Sequence, residues 1–205
     1  MGRWEPNARG RLEEAAMNLF QERGYDRTTV EEIAARAGLT ERTFFRYFAD
    51  KKEVLFGGAG ELRRLITSTI TDAPEETSPL EAVAAALDAT APVFKERRDY
   101  ARARQGLIVA HAELRERELI KLADLASAAA DALRGRGVTE PAASLTAEAG
   151  IAVFKVAFER WVEDPKSQDL SQHLRSTLDE LRAVTASTGT ANPPQPVKRA
   201  KAPRR

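Results

Sequence analysis

The sequence predicts an all-α protein, and three observations lead there. Alanine occurs 36 times and leucine 19 times among 205 residues, and these side chains lose little on entering a helix. No stretch alternates Val, Ile, Thr and aromatic residues between turn signals, as a half-buried strand would. Apolar residues instead recur at three- and four-residue steps, the period of a helix with one buried face.

The first such run covers residues 7 to 23, where Leu12, Ala15, Ala16, Leu19 and Phe20 share a face and Gly24 supplies the C-terminal cap. A second helix starts at Thr28-Thr29, with Thr29 and Glu32 at capping-box spacing, runs through Val30, Ile33, Ala34 and Ala37, and stops at Gly38. Leu39 and Thr40 alone separate that glycine from a third helix over 41 to 48. Two short helices joined by so brief a glycine-containing turn form a helix-turn-helix. A fourth helix is expected from Asp50 through Leu55, Phe56, Leu62, Leu65 and Ile66.

Beyond Pro74 the runs lengthen. Ser78-Pro79 with Glu81 opens a helix to about residue 95, with a break near Pro92. Helices over 97 to 112 and 113 to 134 follow, ended by Gly135 and Gly137. Pro141 opens another, to Val162, and the last spans 169 to 184. Nine or ten helices result, with no repeat.

Composition sets further limits. With 42% hydrophobic and 31% charged residues, the chain has the material for a core. The longest uncharged core-like run, 105 to 112, has eight residues, far short of the roughly 18 needed to span a bilayer. Zero cysteines exclude disulfides, thiol nucleophiles and thiolate metal sites, and two histidines exclude a histidine-rich one. Neither metal nor cofactor is expected. Residues 1 to 11 are polar and lack the apolar core of a secretory signal, so the cytoplasm is the expected location.

In the third helix Phe44 and Phe48 must pack inward beside Ile33 and Leu39, which turns Thr40, Arg42, Thr43, Arg46 and Tyr47 outward. That face suits a DNA major groove: arginine bonds a guanine edge through its fork, threonine offers hydroxyl and methyl, tyrosine reaches phosphate. Lys51 stands where a phosphate would lie near backbone N–H groups.

Residues 24 to 55 resemble the DNA-binding region of TetR-family transcriptional regulators. The likeness joins Gly24-Tyr25, Thr28-Thr29, Ile33-Ala34, Ala37-Gly38, the aromatic run from Phe44 to Phe48 and Lys51. It implies a one-component regulator: a three-helix DNA-binding domain over 1–55, a helical ligand-binding and dimerisation domain over 56–186, and a homodimer on a palindromic operator. Carried over by position, the operator contacts fall on Thr29, Thr40, Arg42 and Thr43, with Phe45, Tyr47 and Lys51 toward the phosphate backbone. Position 42 is often small in the family, so Arg42 adds a base contact. Position 45 is usually tyrosine, and Phe45 lacks the hydroxyl that would bond a phosphate.

Charge is unevenly divided. Residues 1–55 carry 10 basic and 10 acidic side chains, 56–186 carry 17 and 21, and 187–205 carry 5 and none. The last stretch, rich in proline and without apolar periodicity, is expected to be a disordered basic tail. A neutral DNA-binding unit implies modest nonspecific affinity.

The helix from 141 to 162 is apolar on several faces, while the last shows one stripe of Leu170, Leu174, Leu178, Leu181 and Val184. In the resembled family such a pair forms a four-helix dimer seam, to which Leu145, Ala152 and Val156 would also belong. Candidates for an effector pocket are Phe94, Tyr100, Arg104, Leu107, Ile108, His111, Phe154, Phe158 and Trp161, apolar groups with few polar ones among them. The C-terminal part bears a fainter resemblance to actinobacterial regulators of the mycofactocin or fatty-acyl type, which implies a small hydrophobic effector, an acyl thioester among them. Gly57, Gly58 and Gly60 follow no strand and lack the Lys-Ser/Thr ending of a phosphate loop, so they are expected to soften the link between the two domains.

The implied function is a ligand-responsive repressor rather than an enzyme. Two other readings stay open: a helical interaction module or activator without operator repression, and an all-helical enzyme, for which no Ser-His-Asp or metal set can be assembled.

Overall fold

The computed structural model describes residues 7–95, 97–165 and 169–186, which form helices and no strand. The predicted tail at 187–205 lies outside the described residues.

Helix α1 (Ala8–Arg23) is capped by Asn7, whose side chain accepts from the Gly10 N–H at 3.2 Å, and ends at Gly24 with φ 85°. Helix α2 (Val30–Arg36) carries the complete Thr29/Glu32 capping box. Gly38, at φ 66°, turns the chain into α3 (Glu41–Tyr47), capped by Thr40. A side chain at that φ would be strained, which is why glycine occupies the turn. Phe44 and Phe48 lie inward with ring centroids 5.3 Å apart, in one core with Leu12, Phe20, Tyr25 and Ile33.

The single helix expected after Asp50 is two elements. Asp50 caps a 3-10 turn (Lys52–Phe56), accepting from the Glu53 N–H at 2.9 Å; Gly57 and Gly58 interrupt, and α4 (Ala59–Asp72) begins anew. Three glycines in four residues remove the side-chain reason to continue a helix there.

Helix α5 (Pro79–Asp88) has its Ser78/Glu81 capping box. The chain breaks at Ala89-Thr90 rather than at Pro92, which sits in the first turn of α6 (Ala91–Lys95), where a missing N–H is harmless. Helices α7 (Arg98–Ala110), α8 (Ala112–Gly135), α9 (Ala142–Glu163) and α10 (Leu170–Ala186) complete the bundle.

Helix α9 packs against α5, α7, α8 and α10, which accounts for its many apolar faces. Its C-terminal carbonyls at Trp161 and Val162 accept from Arg98 at 2.8 Å and Arg102 at 2.7 Å, satisfying groups the helix itself cannot. The α10 stripe corrects part of an expectation: Leu170, Leu174 and Leu178 are buried in the core of their own chain and do not offer a seam to a partner, whereas Leu181 is half-buried and Val184, at the end of the stripe, is exposed. On α9, by contrast, Leu145 is 66% and Val156 42% exposed, and Ala152 between them is exposed as well.

No described helix is long and apolar enough to cross a membrane.

Candidate nucleic-acid interface and ligand cavity

Burying Phe44 and Phe48 decides what α3 presents. Arg42, Arg46, Tyr47 and Phe45 stand exposed, Phe45 at 53%, and Thr40 and Thr43 flank them. The Thr40 and Thr43 hydroxyls lie 3.1 Å apart, and Thr40 also accepts from the Thr43 N–H at 3.3 Å. Thr29 likewise accepts from Glu32 at 3.2 Å, which leaves its hydroxyl proton to donate. The Arg46 guanidinium folds 5.0 Å over the Tyr47 ring.

Two acidic groups of this unit are paired away from α3, while Glu41 stands in its first turn. Glu22 forms a two-pronged pair with Arg36 at 2.9 and 2.8 Å, and Glu32 meets Arg23 at 2.8 Å. The neutral balance therefore leaves the arginines of α3 with no acidic partner among the described residues.

Lys51 is placed differently from the expectation. Its ammonium donates inward to the carbonyls of Tyr25 at 2.8 Å and Thr28 at 3.0 Å and lies 4.2 Å over the Tyr25 ring. It clasps the α1–α2 turn rather than reaching outward.

Where the three-helix unit meets the bundle lies a cavity of about 320 Å³, within the roughly 300 to 1,000 Å³ typical of small-molecule sites. Phe94, Phe154, Phe158, Leu62, Leu122 and Leu125 give it an apolar wall. Phe158 holds this wall together, its ring 5.3 Å from Phe94 and 5.8 Å from Phe154. Glu13, Arg63, Arg97, Tyr100, Arg104, Glu118, Lys121 and Asp124 add polar groups, and the glycine link at 57–60 closes one side. Gly57, Gly58 and Gly60 thus line a cavity wall at the junction.

Five expected pocket residues line this cavity: Phe94, Tyr100, Arg104, Phe154 and Phe158. Four do not. Trp161 is buried behind the aromatic wall, 5.5 Å from Phe158. Ile108 and Leu107 belong to the core of the three-helix unit. His111 packs 4.9 Å from the Tyr25 ring, its Nδ1 2.8 Å from the Leu107 carbonyl oxygen. All three sit on or just beyond the last turns of α7, which lean on the N-terminal unit.

Arg104 is the polar centre of the junction. Its Nε donates to the Leu55 carbonyl at 2.7 Å, its Nη1 to Glu118 at 3.1 Å, and its guanidinium lies 4.8 Å over the Phe56 ring. Burial pushes its pKa down and the Glu118 carboxylate opposes that. Burial and the nearby Glu13 carboxylate push the Tyr100 phenol up. At the cavity rim Lys121 meets Glu53 at 3.1 Å, and beyond it Lys52 meets Glu113 at 3.1 Å and Arg117 meets Asp50 at 3.1 Å. Among the described residues no cluster of three or more His, Asp or Glu could hold a metal.

The wall residues missed in the sequence, notably Glu13, Leu62, Leu122 and Leu125, carried no distinguishing signal: each fits an ordinary amphipathic pattern.

Two family models match the chain. Residues 12–57 match the model of bacterial regulatory proteins of the tetR family, and residues 77–186 match that of the MftR C-terminal domain. The HTH-type transcriptional regulator TcmR of Streptomyces glaucescens is 36% identical over 81 residues, which cover 40% of this chain and 36% of TcmR. Thermus thermophilus FadR, a TetR-family repressor solved with lauroyl-CoA, is 27% identical with a TM-score of 0.55, covering 95% of this chain and 98% of that one. Bacillus subtilis FadR, solved with stearoyl-CoA, has a TM-score of 0.59 at 19% identity over 84% of this chain and 96% of its own, a likeness of fold.

Proposed function

The chain belongs to the TetR family of bacterial transcriptional regulators, and we propose that it works as a homodimeric repressor that leaves its operator when a small hydrophobic ligand enters the junction cavity. Residues 1–55 are the reading head and 56–186 the sensor in this reading. One observation supports it most: the cavity is walled by both units, with Glu13 of α1 and Leu55 and Phe56 of the turn after the recognition helix facing Phe94, Tyr100 and Phe158 of the bundle. A ligand there touches the sensor and the base of the head together.

A single recognition helix reads only a half-site, and two must be spaced by about one DNA turn. The exposed Leu145, Ala152 and Val156 run along one face of α9 and offer the apolar surface for pairing. Base readout falls to Arg42 and Thr43, phosphate contacts to Thr29, Thr40, Arg46 and Tyr47, and Phe45 offers its ring to a thymine methyl. The apolar wall and the likeness to a lauroyl-CoA-bound repressor favour an acyl thioester as effector.

Selection of bound duplexes from a random pool, followed by a salt titration, tests the reading. The expected result is a palindrome preferred over random duplex by about 10³ or more, released by dodecanoyl-CoA. A pool without enrichment would overturn the repressor assignment in favour of an interaction module.

A further inference from the structure

Two residues of the reading head reach the cavity wall, Leu55 and, as its one charged group, Glu13 of α1. Its side chain, 13% exposed, accepts from Arg9 Nε at 3.3 Å and lies 3.7 Å from Nη2 of Arg97, which precedes α7 in the sensor. A methyl built on Gly57 would fall 2.0 Å from Glu13 Oε1. The carboxylate therefore fills the notch that this glycine leaves, and Arg9 closes it by donating to the Gly57 carbonyl. Head, link and sensor meet at one carboxylate.

The rim around it is unevenly satisfied. Arg97 is half exposed, and Arg63 has no ion-pair partner among the described residues. Lys121 is held by Glu53, Arg104 by Glu118. Asp124 adds one exposed acid. Two guanidinium groups with capacity to spare thus stand beside an apolar wall.

Resting on the reading of this cavity as the effector site, we propose that Glu13 and Arg97 form a latch, shut in the DNA-binding state and opened by an occupant with an apolar tail and an anionic head. The tail lies along Phe94, Phe154 and Phe158, and the head takes Arg97 and Arg63. Glu13, deprived of its partner in the sensor and repelled by the arriving anion, leaves the Gly57 notch, and α1 is released. A ligand moves an equilibrium only through its different affinity for the two states. Here the difference is Arg97, engaged by Glu13 in one state and open to the ligand in the other. An uncharged occupant of equal length fills the apolar wall and leaves the latch shut.

Gly57→Ala is the direct test, because φ −54° accepts alanine and the new methyl strikes only the ends of the Glu13 and Arg9 side chains. In the full chain, on the selected operator and without ligand, Gly57→Ala and Arg97→Gln are each expected to weaken binding about fivefold or more. The double variant is expected to be no weaker than the worse single one, since both open the same contact. Dodecanol, at concentrations where calorimetry shows it bound, is expected to leave operator affinity within about twofold, while dodecanoyl-CoA releases the DNA. Unchanged affinity in the single variants, additive losses, or release by dodecanol equal to that by dodecanoyl-CoA would overturn the latch. If dodecanoyl-CoA failed to bind the wild-type chain, the effector assignment would fall, and the ligand-free cycle would still decide the latch.

Discussion

Arg104 of α7 donates through Nε to the carbonyl oxygen of Leu55 at 2.7 Å and lies over the ring of Phe56, so a sensor side chain grips the turn that follows the recognition helix. Its other arm holds Glu118 of α8 at 3.1 Å. Arg104→Ala leaves the buried Leu55 carbonyl and the half-buried Glu118 carboxylate without this donor, and chemical denaturation is expected to show a loss of about 1 to 3 kcal/mol. Arg104→Lys is expected to recover less than half of it, because an ammonium cannot present two donors in a fixed fork.

Arg42 and Lys51 are expected to separate base reading from head integrity. Arg42→Ala is expected to cost about 1 to 3 kcal/mol and to relax preference at one operator position, with stability unchanged. Lys51→Ala removes two charge-assisted bonds to the carbonyls of Tyr25 and Thr28, so melting is expected to show about 2 kcal/mol of destabilisation. All duplexes then weaken alike. Competition binding against single-base operator variants distinguishes the two patterns.

Leu145→Asp with Val156→Arg places charge on the exposed face of α9. Sedimentation is expected to show a monomer that melts cooperatively and has lost operator binding. A dimer persisting in that variant would move the pairing surface elsewhere.

Gly150 lets α9 approach α5: a methyl there would fall 2.3 Å from Val83 Cγ1, which is buried. Helix propensity favours alanine by about 1 kcal/mol, but overpacking a rigid core costs about 1 to 3 kcal/mol. Gly150→Ala is therefore expected to lower the unfolding midpoint, and Val83→Ala to restore part of the loss in the double variant.

Alkaline pH is expected to destabilise the chain through its buried phenols. Burial, with the Glu113 carboxylate second, pushes Tyr25 up; burial, with Glu13 second, pushes Tyr100 up. The native state thus keeps protons that the unfolded chain releases at an ordinary tyrosine pKa of about 10. Stability present below pH 10 is lost as the pH climbs past it toward the raised native values. Absorbance at 295 nm should show these two phenols ionising later in the native than in the unfolded chain.

Short-range features were legible in the amino-acid order. The Thr29/Glu32 and Ser78/Glu81 caps, the turn at Gly38 and the inward pair Phe44 and Phe48 all depend on residues within four positions of one another. Helical period alone assigns those, and with them the polar face of α3. Packing decided the rest. Leu170, Leu174 and Leu178 make an apolar stripe that suits a partner or the chain's own core equally well, and only the approach of α9 and α5 buries it within the chain. Leu107, Ile108 and His111 follow the cavity residues Tyr100 and Arg104 along α7, but the lean of its last turns on the three-helix unit takes them to that unit's core. Glu13 carries no signal of its own in the sequence, because the neighbours that give it meaning, Gly57 and Arg97, are distant along the chain and near only once the helices have docked. Local periodicity records which face is apolar; what that face meets is set by contacts between segments, and no period in the sequence encodes them.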